Sequence, residues 1–228
     1  MKVTLVSSSQ PSKELEAQGI VNAQELVAYC ARVSNPANQN NTDTSEKLIR
    51  YLIKHQHWSP LEMVSACLEI TTTRDIARQI LRHRSFSFQE FSQRYANPVE
   101  DLAFVLRDAR LQDNKNRQNS LEIDITKDDD RRLAYQWEQM QRGVIEKAKE
   151  AYTWAVEHGI AKEQARAVLP EGNTVSRLYM NGTIRSWIHY IQLRAANGTQ
   201  KEHILIAIEC AKAIANIFPM ATEFIPQD

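Results

Sequence analysis

The chain has 228 residues, of which 43% are hydrophobic and 25% charged, and its 28 basic side chains balance its 28 acidic ones. This length predicts a single domain over residues 1–228, with two small domains as the alternative, and the zero net charge excludes a general attraction to nucleic acid or anionic membranes. Because no apolar run approaches roughly 20 residues and the three cysteines show no CxxC spacing, we expect a cytoplasmic protein without a membrane span or disulfide framework.

The N-terminal quarter predicts one strand and two helices. The alternation in Lys2–Val6 indicates a strand, and Asn22 with Glu25 three residues later is typical of a helix N-terminus. A polar loop follows that helix. The next helix is predicted to bury Tyr51 and to end near His57-Trp58-Ser59-Pro60.

The next stretch predicts a strand that runs directly into a helix. Apolar and polar residues alternate from Val64 to Thr71, so we expect a strand with one wetter face. Thr72 and Asp75 form a capping-box pair that would start the helix. Three arginines four residues apart then share one helical face: Arg74, Arg78 and Arg82.

No acidic residue lies on this basic face. Like charges at this spacing destabilise an isolated helix by roughly 0.2–0.5 kcal/mol per pair, so we expect an anion from elsewhere to compensate them. The alternative is that the arginines are solvated cations that suit the helix C-terminus.

The tail after this helix predicts an extended segment that binds a sugar-phosphate. Phe86 and Phe88 alternate with polar residues, and an extended continuation places Glu90, Ser92 and Arg94 on one side. A carboxylate, a hydroxyl and a guanidinium suit a phosphorylated sugar better than a core or a metal. The alternative is that Arg94 pairs with Glu90.

The middle of the chain predicts two strands and one long helix. Residues 102–106 and 121–125 read as strands on either side of a long polar loop, residues 108–120, and Thr126 with Asp129 reads as a capping box. The apolar residues that recur along the following helix are Leu133, Trp137, Met140, Val144, Ala148, Ala151 and Ala155.

The C-terminal part is predicted to be mainly helical. A short helix carries Arg166 and ends at Pro170, while residues 175–180 fit either a strand or a helix. Thr183 then opens a helix, and Thr199 is expected to cap the last one. Strands and helices do not alternate regularly, so we predict an α+β (mixed α/β) domain with helices packed around a mostly antiparallel sheet.

The helix after Thr183 carries a second polar cluster. Arg185 and His189 are four residues apart and share a face, whereas Arg194 lies about half a turn away and points elsewhere. The alternative for His189 is a partly buried, hydrogen-bonded histidine. His55 and His57 form an HxH pair with no third ligand at helical spacing, so we expect no metal site.

Several common motifs are absent. The six glycines form neither GxGxxG nor GxxxxGK, which counts against both a Rossmann site and a P-loop, so we expect any cofactor phosphate to be held by side chains. There is no GxSxG, and no cysteine has a polar, cationic setting, so covalent catalysis by the protein has no candidate.

One motif resembles the signature of the flavin-dependent thymidylate synthases. It reads Arg82-His83-Arg84, seven residues, and then Ser92 followed by Gln-Arg-Tyr. The resemblance extends to Gln79, to the His57–Pro60 segment, to Arg166–Pro170 and to the helix NGTIRSWIHYIQLR, so it covers most of the chain.

The resemblance implies an enzyme that reductively methylates dUMP to dTMP. In that family FAD carries a hydride from NADPH and methylenetetrahydrofolate supplies the carbon. The enzymes are homotetramers of a characteristic α/β fold whose active sites combine residues from several subunits.

Carried over by position, the resemblance also implies site residues. The residues that the resemblance assigns to flavin binding are His57, Ser59, Arg82, His83, Arg84, Glu90, Thr183, Ile184, Arg185 and His189. The residues that it assigns to dUMP binding are Gln79, Arg82, Glu90, Ser92, Arg94, Arg166 and Arg194. Of these, Ser92, Arg94 and Arg166 would surround the phosphate. Arg194 would be the catalytic residue, because it would face the uracil and favour its ionised ring.

Two other classes of function remain as alternatives. Alternating phenylalanine and serine beside arginines is also found where proteins stack single-stranded bases, although the neutral net charge counts against a nucleic-acid-binding module. A catalytically inactive relative that binds a nucleotide for regulation would keep Arg94 and Arg166 functional.

Overall fold

The computed structural model describes residues 1–227, and Asp228, the last residue of the predicted domain, lies outside them. Strands β1–β6 are Lys2–Ser8, Ser65–Thr73, Ser87–Glu90, Arg110–Gln112, Ser120–Glu122 and Val175–Thr183. Helices α1–α9 are Lys13–Glu16, Ala23–Ala31, Ser45–Lys54, Arg74–Ile80, Pro98–Asp101, Asp128–Glu157, Lys162–Ala165, Ile184–Arg194 and Lys201–Ala215. Short 3-10 helices are Pro36–Asn38, Ser59–Glu62, Arg166–Val168 and Pro219–Phe224.

Four strands form an antiparallel sheet in the order β1-β2-β6-β3. The central pair, β2 and β6, runs from the Ser65–Thr183 pair to the Thr73–Val175 pair. The segment 175–180, for which the sequence left strand and helix open, is therefore the central strand β6. The predicted fold class, helices packed around a mostly antiparallel sheet, is confirmed.

The main core lies between one face of this sheet and helices α2, α3, α8 and α9. The predicted alternation along β2 is confirmed, since Leu68 and Ile70 are buried and Cys67 and Glu69 are only partly covered. Helix α8 is fixed to the sheet by Trp187, whose Nε1 donates to the Ala66 carbonyl over 3.0 Å.

The junction between β2 and α4 differs from the predicted capping box. Pairing with β6 continues through Thr73, so Thr72 is a strand residue and Thr73 is the N-cap, with its hydroxyl bonded to Asp75. Helix α4 also ends at Ile80. The expectation that Arg82 lies on the same helical face as the two earlier arginines is therefore wrong.

Three local expectations are also wrong. Tyr51 is 53% exposed because its ring packs beside His55, 4.3 Å between centroids, rather than into the core. Thr126 donates to Asp124 rather than capping α6, and the Thr199 hydroxyl donates to the Leu193 carbonyl, which leaves Gln200 as the N-cap of α9.

Residues 102–106 do not form the predicted strand. They contribute only an isolated bridge between Phe104 and Thr174, because side chains such as Asn173, which donates to the Val105 carbonyl at 2.9 Å, satisfy part of the backbone. A different hairpin forms instead. Strand β4 lies inside the predicted loop 108–120 and pairs with β5.

Helix α6 buries only part of its predicted apolar stripe. Ala148 and Ala155 are buried with Tyr152, whereas Trp137 is 45% and Met140 69% exposed. The N-terminal part of the stripe therefore has no covering element within residues 1–227. Although α6 has 30 residues, neither it nor any other described helix is long and apolar enough to cross a membrane.

Gly182 allows β6 to approach the segment before β3, and we predict that Gly182→Ala destabilises the protein. A Cβ at this position would lie 2.4 Å from Cδ1 of Phe86, whose ring is packed in the core, so overpacking should cost about 1–3 kcal/mol. The control is Gly143→Ala, because Gly143 has open space around it and lies inside a helix, where alanine should stabilise by up to about 1 kcal/mol. Urea unfolding at one protein concentration measures both, and equal effects would contradict the prediction.

Candidate active site

His83 and Arg194 meet although 111 residues separate them in the chain. Arg194 Nε donates to His83 Nε2 over 2.8 Å, so this ring nitrogen acts as an acceptor. Burial, together with the charges of Arg194 and Arg82, lowers the pKa of His83 to about 4. The imidazole is therefore neutral at pH 7 and holds the Arg194 guanidinium by one edge.

The two arginines that flank His83 are free to bind a ligand. Arg82 and Arg84 are exposed, and neither makes an ion pair or a side-chain hydrogen bond within residues 1–227. Both lie in the turn after α4 rather than on the helix, on either side of His83 in the chain.

Gln79, near the end of α4, is half-buried between two residues of the α9 region. Its Nε2 donates to Gln200 Oε1 at 2.8 Å, and its Oε1 lies 3.2 Å from His203 Nδ1. Its amide is thereby held on two sides.

Glu90, the last residue of β3, faces β6 and the start of α4. Ser176 Oγ donates to its carboxylate over 2.7 Å, and an Arg74 guanidinium nitrogen lies 3.8 Å away. The alternative in which Glu90 pairs with Arg94 is wrong, because Arg94 pairs with Glu163 at 3.3 Å.

The predicted alternation of residues before Glu90 is confirmed. The predicted extended continuation, with Glu90, Ser92 and Arg94 on one side, is not observed. Phe86 is buried, Phe88 is half-buried, and the intervening polar residues are exposed. Strand β3 then ends at Glu90, and the Ser92 carbonyl accepts from the Tyr95 and Ala96 amides. A turn therefore replaces the expected extended row directly after the last contact with β6, in which the Phe91 amide donates to the Arg177 carbonyl over 2.8 Å.

This turn nevertheless brings two predicted phosphate ligands together. Arg94 contacts the Glu163 carboxylate, and Arg166 Nε donates to the Glu163 carbonyl at 3.3 Å. Ser92 Oγ lies 3.4 Å from the Arg94 amide, which donates to it. Three residues from two distant segments thus share one corner of the protein.

A cavity of about 270 Å³ opens beside this corner. Its lining residues are Arg74, Arg78, Gln93, Arg166, Ala167, Leu169 and Glu171. Arg78 is paired with Glu171, and Arg74 lies near Glu90, so the protein itself supplies the anions that the basic helical face required. Gln93 is only 3% exposed, and its Nε2 donates to no acceptor in residues 1–227.

The residues predicted at the start of α8 form a separate group. The Thr183 hydroxyl caps the helix by accepting from the Ser186 amide, and Arg185 pairs with Glu62. His189 is exposed and meets Trp58 edge-on at 4.4 Å, so the alternative of a hydrogen-bonded, partly buried histidine is wrong. Two exposed residues flank Trp58 in the chain, His57 and Ser59, and Ile184 is buried beneath the group.

The two ends of β6 keep these groups apart. Thr183 ends the strand at the α8 group, and the residues around Arg166 precede its other end. A nine-residue strand spans roughly 25–30 Å, so the two groups do not converge within one chain. His83, Arg194 and Gln79 form a third group that is attached to neither end.

Several residues that shape the site had no role in the sequence-based prediction. Arg107 donates to Asp75 at 2.6 Å and to the Gly172 carbonyl at 2.9 Å, which ties the start of α4 to the segment before β6. Glu163, Glu171 and Gln93 lie in loops or short helices with no distinguishing pattern. His203 had a signal, because it is the one polar residue on the buried stripe that continues through Ile206.

Comparison with known proteins identifies the family. The family described as "Thymidylate synthase complementing protein" matches residues 18–220. A "Probable flavin-dependent thymidylate synthase" of Paramecium bursaria Chlorella virus 1 and a "Flavin-dependent thymidylate synthase" of Synechocystis sp. are each 48% identical over 219 residues, 96% of both chains. The chain belongs to the flavin-dependent thymidylate synthase family. The resemblance inferred from the motif is confirmed, and with it the assignment as an enzyme.

A solved structure supports the same fold. The "UMP/dUMP methylase PolB from Streptomyces cacaoi bound with 5-Br dUMP" is 28% identical, covers 98% of this chain and 93% of its own, and superposes with a TM-score of 0.77. The two proteins thus share this arrangement of helices around an antiparallel sheet.

We predict that His83 makes the stability of the protein depend on acid pH. Its pKa is about 4 in the folded protein against 6.5 ordinarily, so the unfolded chain takes up a proton first and stability falls as pH drops from 6.5 to 4. After allowance for partial exposure the loss should be about 1–2 kcal/mol. Urea unfolding at pH 7, 5.5 and 4.5 should show a smaller loss in His83→Gln than in the wild type. The control is His158→Gln at the exposed end of α6, and equal losses in wild type and His83→Gln would contradict the prediction.

Proposed function

We propose that the chain reductively methylates dUMP to dTMP with bound FAD, methylenetetrahydrofolate as carbon donor and NADPH as reductant, and without a cysteine nucleophile. The observation that carries the proposal is the cationic cavity whose buried Gln93 amide lacks an acceptor, beside an Arg94–Arg166 pair that the sequence assigned to a nucleotide phosphate. Family membership and a relative crystallised with a dUMP analogue support the same substrate.

The phosphate of dUMP would bind at this corner. Arg166 and Gln93 both line the cavity, and Arg94 and Ser92 lie at its side. A phosphate offers the acceptors that the Gln93 Nε2 and the guanidinium groups require, and arginine forks bind it in two-point contacts. Glu163, which now holds Arg94, would be the partner that the phosphate displaces.

The residues assigned to FAD suit that cofactor by their chemistry. Arg82 and Arg84 are exposed donors without protein acceptors in the described chain, as a diphosphate needs, and the exposed His189 with Trp58 offers aromatic surface. The other residues proposed to hold it are His57, Ser59, His83, Glu90, Thr183, Ile184 and Arg185. When bound, the flavin would supply hydride transfer.

Arg194 is the proposed catalytic residue. Its Nε is engaged by neutral His83, which leaves the two terminal nitrogens for a uracil carbonyl. A guanidinium fixed there stabilises negative charge as it develops on the ring, so that carbon 5 becomes more nucleophilic. Gln79, Arg82 and Glu90 would complete the contacts to the nucleotide.

The chemistry of the cysteines supports a mechanism without a protein thiolate. Burial raises the pKa of Cys30, Cys67 and Cys210, and Cys210 is entirely buried. None of the three is near a cationic residue that would lower its pKa enough to make it a nucleophile at pH 7. All three are free thiols, which also suits the cytoplasmic location that we propose.

We further propose that the chain is one domain and assembles as a homotetramer with shared active sites. The flavin group and the phosphate group lie at opposite ends of β6, so a second chain must bring one group to the other. The exposed apolar part of α6, with Met140 and Val144, offers a surface for such association.

Flavin binding and turnover test the proposal directly. The purified protein should be yellow, NADPH should bleach the flavin anaerobically with and without dUMP, and the complete mixture should yield dTMP by mass spectrometry. A protein that binds flavin and dUMP but shows no turnover would instead match the alternative of a catalytically inactive relative that binds a nucleotide for regulation. A colourless protein that takes up no FAD and makes no dTMP would refute the proposal.

Arg194→Ala should retain the yellow colour but lose most dUMP methylation. We expect kcat to fall at least about 100-fold, because the lost guanidinium acts where charge develops in the transition state. The control is Arg132→Ala on the exposed first turn of α6, which should leave kcat unchanged. Loss of the flavin spectrum in Arg194→Ala would place Arg194 at the cofactor instead.

Met140→Lys should weaken self-association. Met140 is 69% exposed on the apolar part of α6, and a buried lysine without an anionic partner opposes association. Light scattering after gel filtration should show a smaller mass for this variant than for Gln139→Lys, one residue away on the polar side. If both variants remain tetrameric at low concentration, α6 is not the interface.

A further inference from the structure

A continuous row of buried and partly buried polar side chains links α8, α9 and the end of α4. It begins at Glu202, whose carboxylate is contacted by Arg110 and, at 3.4 Å, by Arg107. Burial raises the pKa of Glu202, but the hydrogen bonds from Arg110, the Glu202 backbone and Gln200, with the charge of Arg107, together outweigh this effect and the pKa lies below its ordinary value. Glu202 is therefore an ionised carboxylate that can only accept hydrogen bonds.

This fixed charge decides how the two glutamines are oriented. Gln200 lies 2.9 Å from Glu202 and must present its NH₂ group to the carboxylate, so its carbonyl oxygen faces Gln79. Gln79 must in turn donate its own NH₂ over 2.8 Å, so its carbonyl oxygen faces His203. Each amide orientation follows from the group before it.

His203 and Tyr190 complete the row. His203 is entirely buried, and burial lowers its pKa to about 3, so the ring is neutral and carries one N–H. That hydrogen must be on Nδ1, because Nδ1 faces the Gln79 carbonyl at 3.2 Å. Nε2 is then an acceptor, and the buried Tyr190 hydroxyl, whose pKa is raised by burial, donates to it over 3.0 Å.

We propose that His203 and Tyr190 are positioning residues that hold the Gln79 amide in one orientation, so that the enzyme accepts uracil and rejects cytosine in its nucleotide substrate. This inference rests on the proposed function, in which Gln79 contacts dUMP.

The chemistry of the bases gives an amide orientation this effect. Uracil presents a carbonyl acceptor at carbon 4 and a donor at N3, whereas cytosine presents a donor at carbon 4 and an acceptor at N3. Gln79 has one N–H and one oxygen lone pair left after its two protein contacts. A rotation of the amide by half a turn would exchange these two groups and would match the opposite base.

The row prevents that rotation. A turned Gln79 would place its NH₂ against the Nδ1–H of His203 and its oxygen against the oxygen of Gln200, so two partly buried hydrogen bonds would be lost. Each loss is equivalent to about a 10-fold change in population, so the turned form should be about 100-fold disfavoured or more. A freely rotating amide would have no such preference.

The test compares His203→Leu, His203→Asn and Tyr190→Phe in the FAD-loaded protein. Calorimetry gives dissociation constants for dUMP and dCMP, and steady-state kinetics give KM and kcat for dUMP. The control is Tyr152→Phe, because the Tyr152 hydroxyl is also buried but bonds to no group in residues 1–227.

We expect His203→Leu to raise KM for dUMP about 10- to 100-fold with little change in kcat, and to reduce the preference for dUMP over dCMP at least about 10-fold. His203→Asn, whose side-chain amide can still donate from near the Nδ1 position, should restore most of the preference. Tyr190→Phe should reduce the preference for dUMP over dCMP about 3- to 10-fold, and Tyr152→Phe should leave this preference unchanged.

Unchanged dUMP preference in a folded His203→Leu protein would overturn the inference and would leave the row a purely structural device. If that variant fails to fold, equal preferences in wild type and Tyr190→Phe would overturn it. An Nε2–H tautomer of His203 in ¹⁵N-histidine NMR spectra of the wild type would also overturn it, without any use of nucleotide. A wild type that neither binds dUMP nor makes dTMP would instead reject the proposed function itself.

Discussion

The antiparallel pairing of β2 with β6 determines where every group of the candidate site lies. Both strands have nine residues, both are central, and both pass directly into a helix, so the pairing register also sets the start of α4 and of α8. Because the strands are antiparallel, the two helices start at opposite ends of the sheet. Gly182 permits the close approach of Phe86 to β6, which keeps β3 and the turn before it against the same strand.

Compensation of charge is the second constraint on the site. Arg74, Arg78 and Arg107 are each near a carboxylate contributed by a distant part of the chain. Such pairs offset the cost of removing a guanidinium from water, and they cross-link α4 to the segments on either side of β6. Arg82 and Arg84 are exposed and lack such partners in residues 1–227. This contrast separates arginines that hold the fold from those available to a ligand.

The local pattern of the sequence was sufficient for the elements that bury a regular face. The alternation in β2 and the helix opened by Thr183 are as predicted, since each depends on neighbouring residues alone. The strand predicted over residues 102–106 does not form because the Asn173 side chain binds the Val105 carbonyl, a contact that no local pattern reveals. The stripe of α6 was only half buried for another reason, because amphipathicity indicates an apolar face but not which element covers it.

For the site, the motif predicts residues but not their protein partners. Arg194 was expected to point away from His189, and it does, yet its contact with His83 depends on how α8 and the turn after α4 pass each other. Glu163, Glu171 and Gln93 were missed because acids and amides in short helices and loops carry no periodic signal. His203 was detectable in principle, since a polar residue within a buried stripe must have a partner.

A reaction without a protein nucleophile places particular demands on such partners. With no thiolate to activate the substrate covalently, the proposed mechanism depends on charges and hydrogen bonds held at fixed positions before the substrate arrives. Neutral His83 holds one edge of Arg194, and ionised Glu202 sets the direction of the amides that lead to Gln79. Both depend on polar groups that are held by protein partners on the side away from the substrate, because a group without such a partner would let the side chain rotate. The proposed catalytic contacts therefore rest on ionisation states that the core itself maintains.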